Sequence, residues 1–429
     1  MNVAQELITQ KSVDELREHL LDEDRVVYRE NGNRAADGKA FLKKIQALSP
    51  AFGVTRVAEI SQLAETAFPV FQATRPNLLH HAAVGKNTGA QGKGPTRTQA
   101  MLSCLMETME SFCDESRNVH LVRGSYEFLR EQHALLHPGL MIHRPGVRPP
   151  ADDETLLWSP VYHVESDSAV LAPAELVYAD LPVDSYRVRP VFPTSSNGLA
   201  AGATYLEAVI HGLYEVIERM YVRLAESGAA RIEALFESDY ELFDAAEFNK
   251  GEGHEFELQL FAVKIRRIKN IPMVVCFLAG DQESYEGGGC CGDVDTAIMR
   301  AISEAMQCYA TNISGSREDL AQIEMQESAR DHPLETPRRR SLRIESYKKQ
   351  VSDRKFAALR DEYRALVDWV HAAGHKTICV ANLTRTGLEI PTVKVIVPGM
   401  PARESVRGFA GEARGWNLND VIQRRYGLG

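Results

Sequence analysis

One pattern restricts the fold of this 429-residue chain more than any other. Three times, a glycine-containing polar loop runs into a helical stretch that carries acidic or amide side chains three residues apart. The first copy is Gly92-Lys-Gly-Pro-Thr-Arg-Thr-Gln-Ala100, leading to Ser103-Cys-Leu-Met-Glu107-Thr-Met-Glu110. The second is Ser196-Asn-Gly-Leu-Ala-Ala-Gly202, leading to Glu207 and then Gly212-Leu-Tyr-Glu215-Val-Ile-Glu218-Arg219. The third is Gly287-Gly-Gly-Cys-Cys-Gly292, leading to Arg300-Ala-Ile-Ser-Glu304-Ala-Met-Gln307. Residues at i and i+3 of a helix share a face, so each pair points one way. No fixed period relates the copies, and the arrangement that accommodates all three is one layer of helices aimed at one site.

At ~100° per residue, Glu207 and Glu218 lie about 20° apart around their helix, and Glu215 falls within about 80° of Glu207. Carboxylates so placed repel unless a cation takes up the charge. Hard oxygen ligands at that density suit Mg²⁺, which ordinarily bridges to substrate phosphates. Solvated surface glutamates are the alternative for any single pair. Thr204-Tyr-Leu-Glu207 and Thr96-Arg-Thr-Gln99 also read as capping boxes, in which Glu207 serves its own helix. Gly92-Lys93-Gly94 is not a Walker A loop, because Asn87 stands where the first glycine belongs and Gly94 replaces the Mg²⁺-binding Ser/Thr. Lys93 can still meet a phosphate from another geometry.

Strand-like runs alternate with helical ones over the rest of the chain, which predicts α/β or α+β construction. Phe68–Thr74, Ile271–Gly280, Thr377–Leu383 and Pro391–Pro398 read as strands. Residues 1–60 read as a charged helical entry segment in which Ser12-Val-Asp-Glu15 caps a helix bearing Leu16, Leu20 and Leu21. The formal net charge of −10 argues against sequence-independent nucleic-acid binding, which needs a Lys/Arg surplus. No apolar run approaches the ~20 residues of a membrane span, and no secretory pattern opens the chain, so the expected compartment is the cytoplasm. Seven cysteines without a C-x-x-C pair exclude a disulfide framework or zinc knuckle. The adjacent Cys290 and Cys291 read as small packing residues before they read as reactive thiols. His80-His81 reads as structural and Arg338-Arg-Arg340 as a solvated loop.

Taken in order, these motifs resemble the YcaO family. The resemblance runs from about Phe68 to Pro398. It rests on Ala67-Phe-Pro-Val-Phe with Thr74-Arg-Pro76, on Gly92-Lys-Gly94 and on the Ser103/Glu107/Glu110 helix. It continues through Asn197-Gly-Leu-Ala-Ala-Gly202, Gly212–Arg219, Arg300–Gln307 and Ser314–Leu320. It implies an α/β (α+β) fold of the YcaO ATP-binding type, with mixed sheets and a layer of helices carrying an acidic ATP/Mg²⁺ site. The catalytic domain would span 61–400 and a tail 401–429. The resemblance implies Lys93, Ser103, Glu107, Glu207, Arg219, Glu304 and Gln307 as ATP or phosphate contacts, and Glu107, Glu110, Glu215, Glu218 and Glu304 as Mg²⁺ ligands. Members usually carry Arg, Asn, Arg and His where this chain has Ser111, Ala203, Tyr309 and Cys291.

YcaO-like enzymes activate a backbone amide of a peptide: a nucleophile adds to the carbonyl, ATP phosphorylates its oxygen, and phosphate leaves. A side-chain nucleophile gives an azoline and external sulfide gives a thioamide. The tail lacks the Pro-rich end common among azoline-forming members, and Phe52–Val57 with Thr74–Pro76 looks like members paired with a TfuA-like sulfur-delivery protein. Thioamide formation on a ribosomally made peptide or protein is therefore the expected reaction. The alternatives are a cyclodehydratase working with an E1-like leader-binding protein, and a catalytically weakened peptide-binding module. A homodimer is implied by the resemblance alone.

Overall fold

The computed structural model describes residues 10–402 except 23–24, 30, 64–65, 67, 77–86, 116–118, 180, 182–186, 236–256, 267, 280–283 and 316–341. His80-His81, Arg338–Arg340, Arg317–Leu320 and all but the first two residues of the 401–429 tail lie outside the described residues. In chain order the elements are α1 (Val13–His19), α2 (Gly38–Leu48), β1 (Arg56–Glu59), β2 (Val70–Pro76), β3 (Asn87–Lys93), α3 (Arg97–Cys113), β4 (Val122–Ser125), α4 (Tyr126–Leu129), β5 (Thr155–His163), β6 (Ser168–Pro173), β7 (Leu199–Ala201), α5 (Tyr205–Glu226), β8 (Ala230–Ala234), β9 (Glu257–Ile265), β10 (Met273–Ala279), β11 (Ser284–Cys290), α6 (Val294–Ser314), α7 (Ile344–Lys348), α8 (Leu359–Ala372), β12 (Cys379–Asn382) and β13 (Thr392–Ile396).

The strands form three sheets, ordered β1-β2-β3, β11-β10-β9-β8 and β4-β5-β12-β13-β7, with β6 also paired to β5. Every pairing between these strands is antiparallel. Parallel contacts occur only as single bridges such as Asn270 with Val351. The fold is thus α+β, and its mixed character is confined to those bridges.

The apolar run read as a buried strand is β10, and the period of two explains why it is apolar throughout. Met273, Val275 and Phe277 enter a core with α5, whereas Val274, Cys276 and Leu278 enter another with Ala297, Ile298 and Ala301 of α6. The same alternation places Val393 and Val395 of β13 against α5 and sends Ile396 into a third core with Leu105 and Met109 of α3. Helix α5 therefore lies between the four-stranded and the six-stranded sheet and is apolar nearly all round, as a buried helix must be. The charged side chains that interrupt it are accordingly costly, and each needs a partner.

The entry segment packs onto this frame. Ser12 Oγ accepts from Glu15 N as the capping box predicts. Leu16 and Leu20 enter the α5 core, while Leu21 faces solvent. Ile45 of α2 and Phe52 join the α3 core.

Candidate functional site

The repeated sequence pattern corresponds to a repeated piece of structure. In the first and third copies a glycine-rich strand turns into a helix that folds back directly onto it. A Cβ on Gly92 of β3 would lie 1.9 Å from Cys104 N, and one on Gly289 of β11 would lie 2.0 Å from Ala297 O, so only glycine permits the approach. Each helix is capped by its loop: Thr96, Thr204 and Asp293 accept from Gln99 N, Glu207 N and Thr296 N. The Asp293 cap belongs to the third copy and completes the pattern.

The three helices bring five carboxylates together, and three of them are fixed by backbone amides of the neighbouring strands and loops. Glu110 Oε1 on α3 accepts from Ala201 N at 2.7 Å. Glu215 on α5 lies where the Gly198 backbone opposes the upward push of burial on its pKa, and Glu218 Oε2 accepts from Cys290 N at 3.1 Å. Glu304 Oε2 on α6 accepts from Gly288 N at 3.1 Å. Glu107 is exposed on α3 and acts electrostatically on Glu110 and Lys93. Two cations enter this basin. Lys93 Nζ is 3.5 Å from Glu304 Oε1, and Arg219 Nη2 is 3.9 Å from Glu215 Oε1.

Two cations do not balance five carboxylates, and the acids respond. Burial and then the neighbouring Glu107 push the Glu110 carboxyl well up from its ordinary value. Burial raises Glu215 against the opposing pull of Arg219 and Lys394. Burial followed by Glu304 raises Glu218. Lys93 shows the mirror effect: burial pulls it down, but Glu304, Glu218 and Glu107 outweigh burial and hold it above the usual lysine value. The basin attracts cations and strains without one.

Glu207 is not among the five. Its Oε2 accepts from Ala35 N at 2.8 Å and its Oε1 lies 3.6 Å from Arg34 Nη1, so its partners come from the entry segment. A second polar cluster forms around it. Arg300 donates to Cys290 O at 2.9 Å and to Asn31 O at 3.1 Å and lies over the Tyr214 ring. Glu362 accepts from Tyr214 Oη at 2.6 Å and from Asn33 Nδ2 at 2.8 Å. His211 contacts Arg34, and burial followed by the two guanidiniums pushes its pKa well below the ordinary value. Sequence reasoning missed Arg34, His211 and Glu362, which come from remote segments without a shared motif.

Of the remaining expected contacts, Ser103 is half-buried one turn before Glu107, and Gln307 is half-buried beside Glu304. Cys290 and Cys291 are buried, and burial raises both thiols, which fits packing rather than reactivity. Ser111 is half-buried, Ala203 stands in the turn before Thr204, and Tyr309 packs its ring 5.1 Å from that of Tyr285. Sequence reasoning also missed Lys394, a buried lysine on β13. Its signal was a charge inside the apolar run Pro391-Thr-Val-Lys-Val-Ile-Val-Pro398.

The residues present fit a divalent cation that arrives with phosphates. Among the described residues no group of three or more His, Cys, Asp or Glu side chains is placed to hold a metal ion on its own. Mg²⁺ does not need one, because it typically takes one or two carboxylates and completes its shell with water and phosphate oxygens. The buried Arg219 Nε has no hydrogen-bond partner within the protein, leaving a guanidinium donor available to an anion. Among the described residues no helix is long and apolar enough to cross a membrane.

Antiparallel sheets faced by three acidic, glycine-launched helices, in a sequence without a P-loop motif, make up the candidate site. The family described as YcaO cyclodehydratase, ATP- and Mg²⁺-binding, matches residues 91–401, and the chain belongs to it. ATP and Mg²⁺ are accordingly its ligands. An uncharacterized protein of Mycobacterium tuberculosis is 30% identical over 305 residues. That alignment covers 69% of this chain and 66% of the relative, so the chain spans just under two thirds of the relative's length. A protein of Rhizobium leguminosarum bv. trifolii, described as uncharacterized and in the tfuA 3′ region, is 29% identical over 378 residues, which cover 81% of this chain and 84% of that protein. Among solved structures, YcaO from Methanopyrus kandleri bound with AMPPCP and Mg²⁺ has the same fold, with a TM-score of 0.66 at 22% identity, covering 88% of this chain and 94% of that one.

Proposed function

We propose that the chain is an enzyme that spends ATP to activate a backbone amide of a ribosomally made peptide or protein, and that sulfide delivered by a TfuA-like partner then yields a thioamide. The observation that carries the reading is the basin itself: five carboxylates, two cations and a set of backbone amides that fix the acids before any ligand arrives. In this reading Glu107, Glu110, Glu215, Glu218 and Glu304 hold Mg²⁺, which neutralises charge on the transferring phosphoryl group. Lys93 and Arg219 meet phosphate oxygens, with Ser103 and Gln307 at the rim. Glu207 anchors Arg34 and closes the neighbouring cluster.

The chemistry balances without an external oxidant or reductant. Sulfide adds to the amide carbon, the carbonyl oxygen accepts the γ-phosphoryl group, and that oxygen departs as inorganic phosphate while the carbon–sulfur double bond forms. The amide oxygen, a poor leaving group, becomes a good one. The neighbourhood named for the Rhizobium relative supports the sulfur branch. The description of the family as cyclodehydratase supports a second reading, in which a Cys, Ser or Thr of the peptide attacks its own backbone and an azoline forms, with an E1-like protein presenting the leader.

Incubating the full chain with ATP, Mg²⁺, a sulfide source, the TfuA-like partner and candidate peptides separates these by mass spectrometry. Exchange of one oxygen for sulfur supports thioamidation, and loss of one water supports cyclisation. Tight nucleotide binding with no ATP consumption under any of these conditions would remove the enzyme reading and leave a peptide-binding module.

A further inference from the structure

Lysine is expensive in a buried strand, because burial disfavours its charged form. Lys394 is 2% exposed, in the middle of β13, between Val393 and Val395 that pack against α5. Its ammonium donates to Ser195 O, and it lies within electrostatic reach of Asp114 and Glu215. Ser195 begins the turn that feeds β7. That turn is tightly specified: Leu199 N donates to Ser196 O at 2.8 Å, and Val395 N donates to Gly198 O at 2.8 Å. Gly198 has φ +80°, and a Cβ there would lie 2.2 Å from Val395 O. The turn sets Gly198 against α5 beside Glu215: a Cβ on Gly212 would lie 2.8 Å from Gly198 O, and one on Gly198 would lie 3.0 Å from Val216 Cγ1. Asn197 stands beside Gly198 with a buried Oδ1 that has no partner within the protein.

We infer that Lys394 is a positioning residue for the nucleotide–metal site: it clamps the Ser195–Gly198 turn, and through the packing of Gly198 against α5 it sets the position of Glu215. The inference rests on the proposal that the acidic basin binds Mg²⁺ with ATP. It accounts for a charge held where burial disfavours it. Loss of the ammonium leaves Ser195 O without its donor and costs stability in either case. A lysine kept only for the fold would leave the Mg²⁺ dependence unchanged when replaced. A lysine that aims a metal ligand behaves as groups behind metal ligands do, and their loss costs about 10–100-fold in metal affinity.

The test titrates the full chain with a non-hydrolysable ATP analogue across a series of Mg²⁺ concentrations and follows thermal unfolding of the same samples. Lys394→Met is expected to raise the Mg²⁺ concentration needed for half-maximal binding about tenfold and, because Ser195 O loses its buried donor, to lower the melting temperature as well. Lys394→Arg, which keeps a charge and donors for Ser195 O, is expected to retain most of the Mg²⁺ response. Adding Lys394→Met to Glu215→Gln is expected to cost little beyond Glu215→Gln alone, because both act through one carboxylate. Wild-type Mg²⁺ dependence in Lys394→Met would overturn the inference, as would fully additive losses in the double variant. So would a fall in melting temperature with equal weakening at every Mg²⁺ concentration. A wild-type protein that binds the analogue without any Mg²⁺ response would instead overturn the reading of the basin, and the inference with it.

Discussion

The start and the middle of α5 solve opposite problems with the same residue type. Near its start, Glu207 is buried and matched: the Ala35 amide and Arg34 meet its two oxygens. Two and three turns later, at mid-helix, Glu215 and Glu218 share their surroundings with Glu107, Glu110 and Glu304, and burial together with mutual repulsion raises their proton affinity. The start is a finished ion-pair network and the middle is an unfinished one. A buried charge that the protein itself balances belongs to stability. A cluster left unbalanced, yet pinned in place by the Ala201, Cys290 and Gly288 amides, is preorganised for a cation from solution.

Replacing one acid in each cluster tests that contrast most severely. Glu218→Gln and Glu304→Gln are expected to weaken Mg²⁺-dependent binding of a non-hydrolysable ATP analogue by about 100-fold or more, measured calorimetrically. Glu207→Gln is expected to leave the Mg²⁺ dependence intact and to lower unfolding stability by about 1.5–3 kcal/mol, the usual scale for a hydrogen bond to a charged group, read by denaturant titration. If Glu207→Gln abolished nucleotide binding at unchanged stability, the two clusters would form one site and the contrast would be gone.

A smaller effect concerns thiols. Cys308 is exposed one turn beyond Glu304 and lies close enough to Lys93 to influence it, whereas Cys290 and Cys291 are buried. Alkylation followed by peptide mapping is expected to modify Cys308 first, and Mg²⁺ with the ATP analogue is expected to slow that labelling several-fold. Preferential labelling of Cys290 or Cys291 would reopen the sulfur-carrier reading that their burial argues against.

The features legible in the sequence were those written locally. The caps at Ser12, Thr96 and Thr204 follow from short-range hydrogen bonding, and the strand at Met273–Ala279 follows from an apolar run bounded by turn residues. The paired acids follow from helical spacing. That spacing gives angle around an axis but not distance along it. At ~1.5 Å per residue, the eleven residues between Glu207 and Glu218 are about 16 Å, which is why an alignment of about 20° did not make them neighbours. The Arg34–Glu207 pairing joins segments far apart in the chain. Lys394 was legible only as an oddity, since an apolar strand with one lysine gives no sign of which loop the ammonium meets.

The finest distinction between the start and the middle of α5 is thermodynamic. A carboxyl whose pKa is raised on folding keeps its proton over a range in which the unfolded chain has released it. Stability contributed by that group is greatest below the unfolded value near 4.5 and is lost as pH climbs through the folded value. Glu218, raised by burial and by Glu304, should therefore make the ligand-free protein progressively less stable from about pH 5 to about pH 8. Glu218→Gln removes that loss while an amide oxygen can still accept from Cys290 N. The variant is expected to melt higher than the wild type, by a margin that widens with pH and amounts to a few degrees at the alkaline end, on the order of 2–4 °C per kcal/mol for a large domain. Mg²⁺ with the ATP analogue should reverse the order, because only the wild type gains a bound cation to offset its charge. A difference between the two proteins that stayed constant with pH would mean that Glu218 is already balanced within the protein, and the middle of α5 would then be as complete as its start.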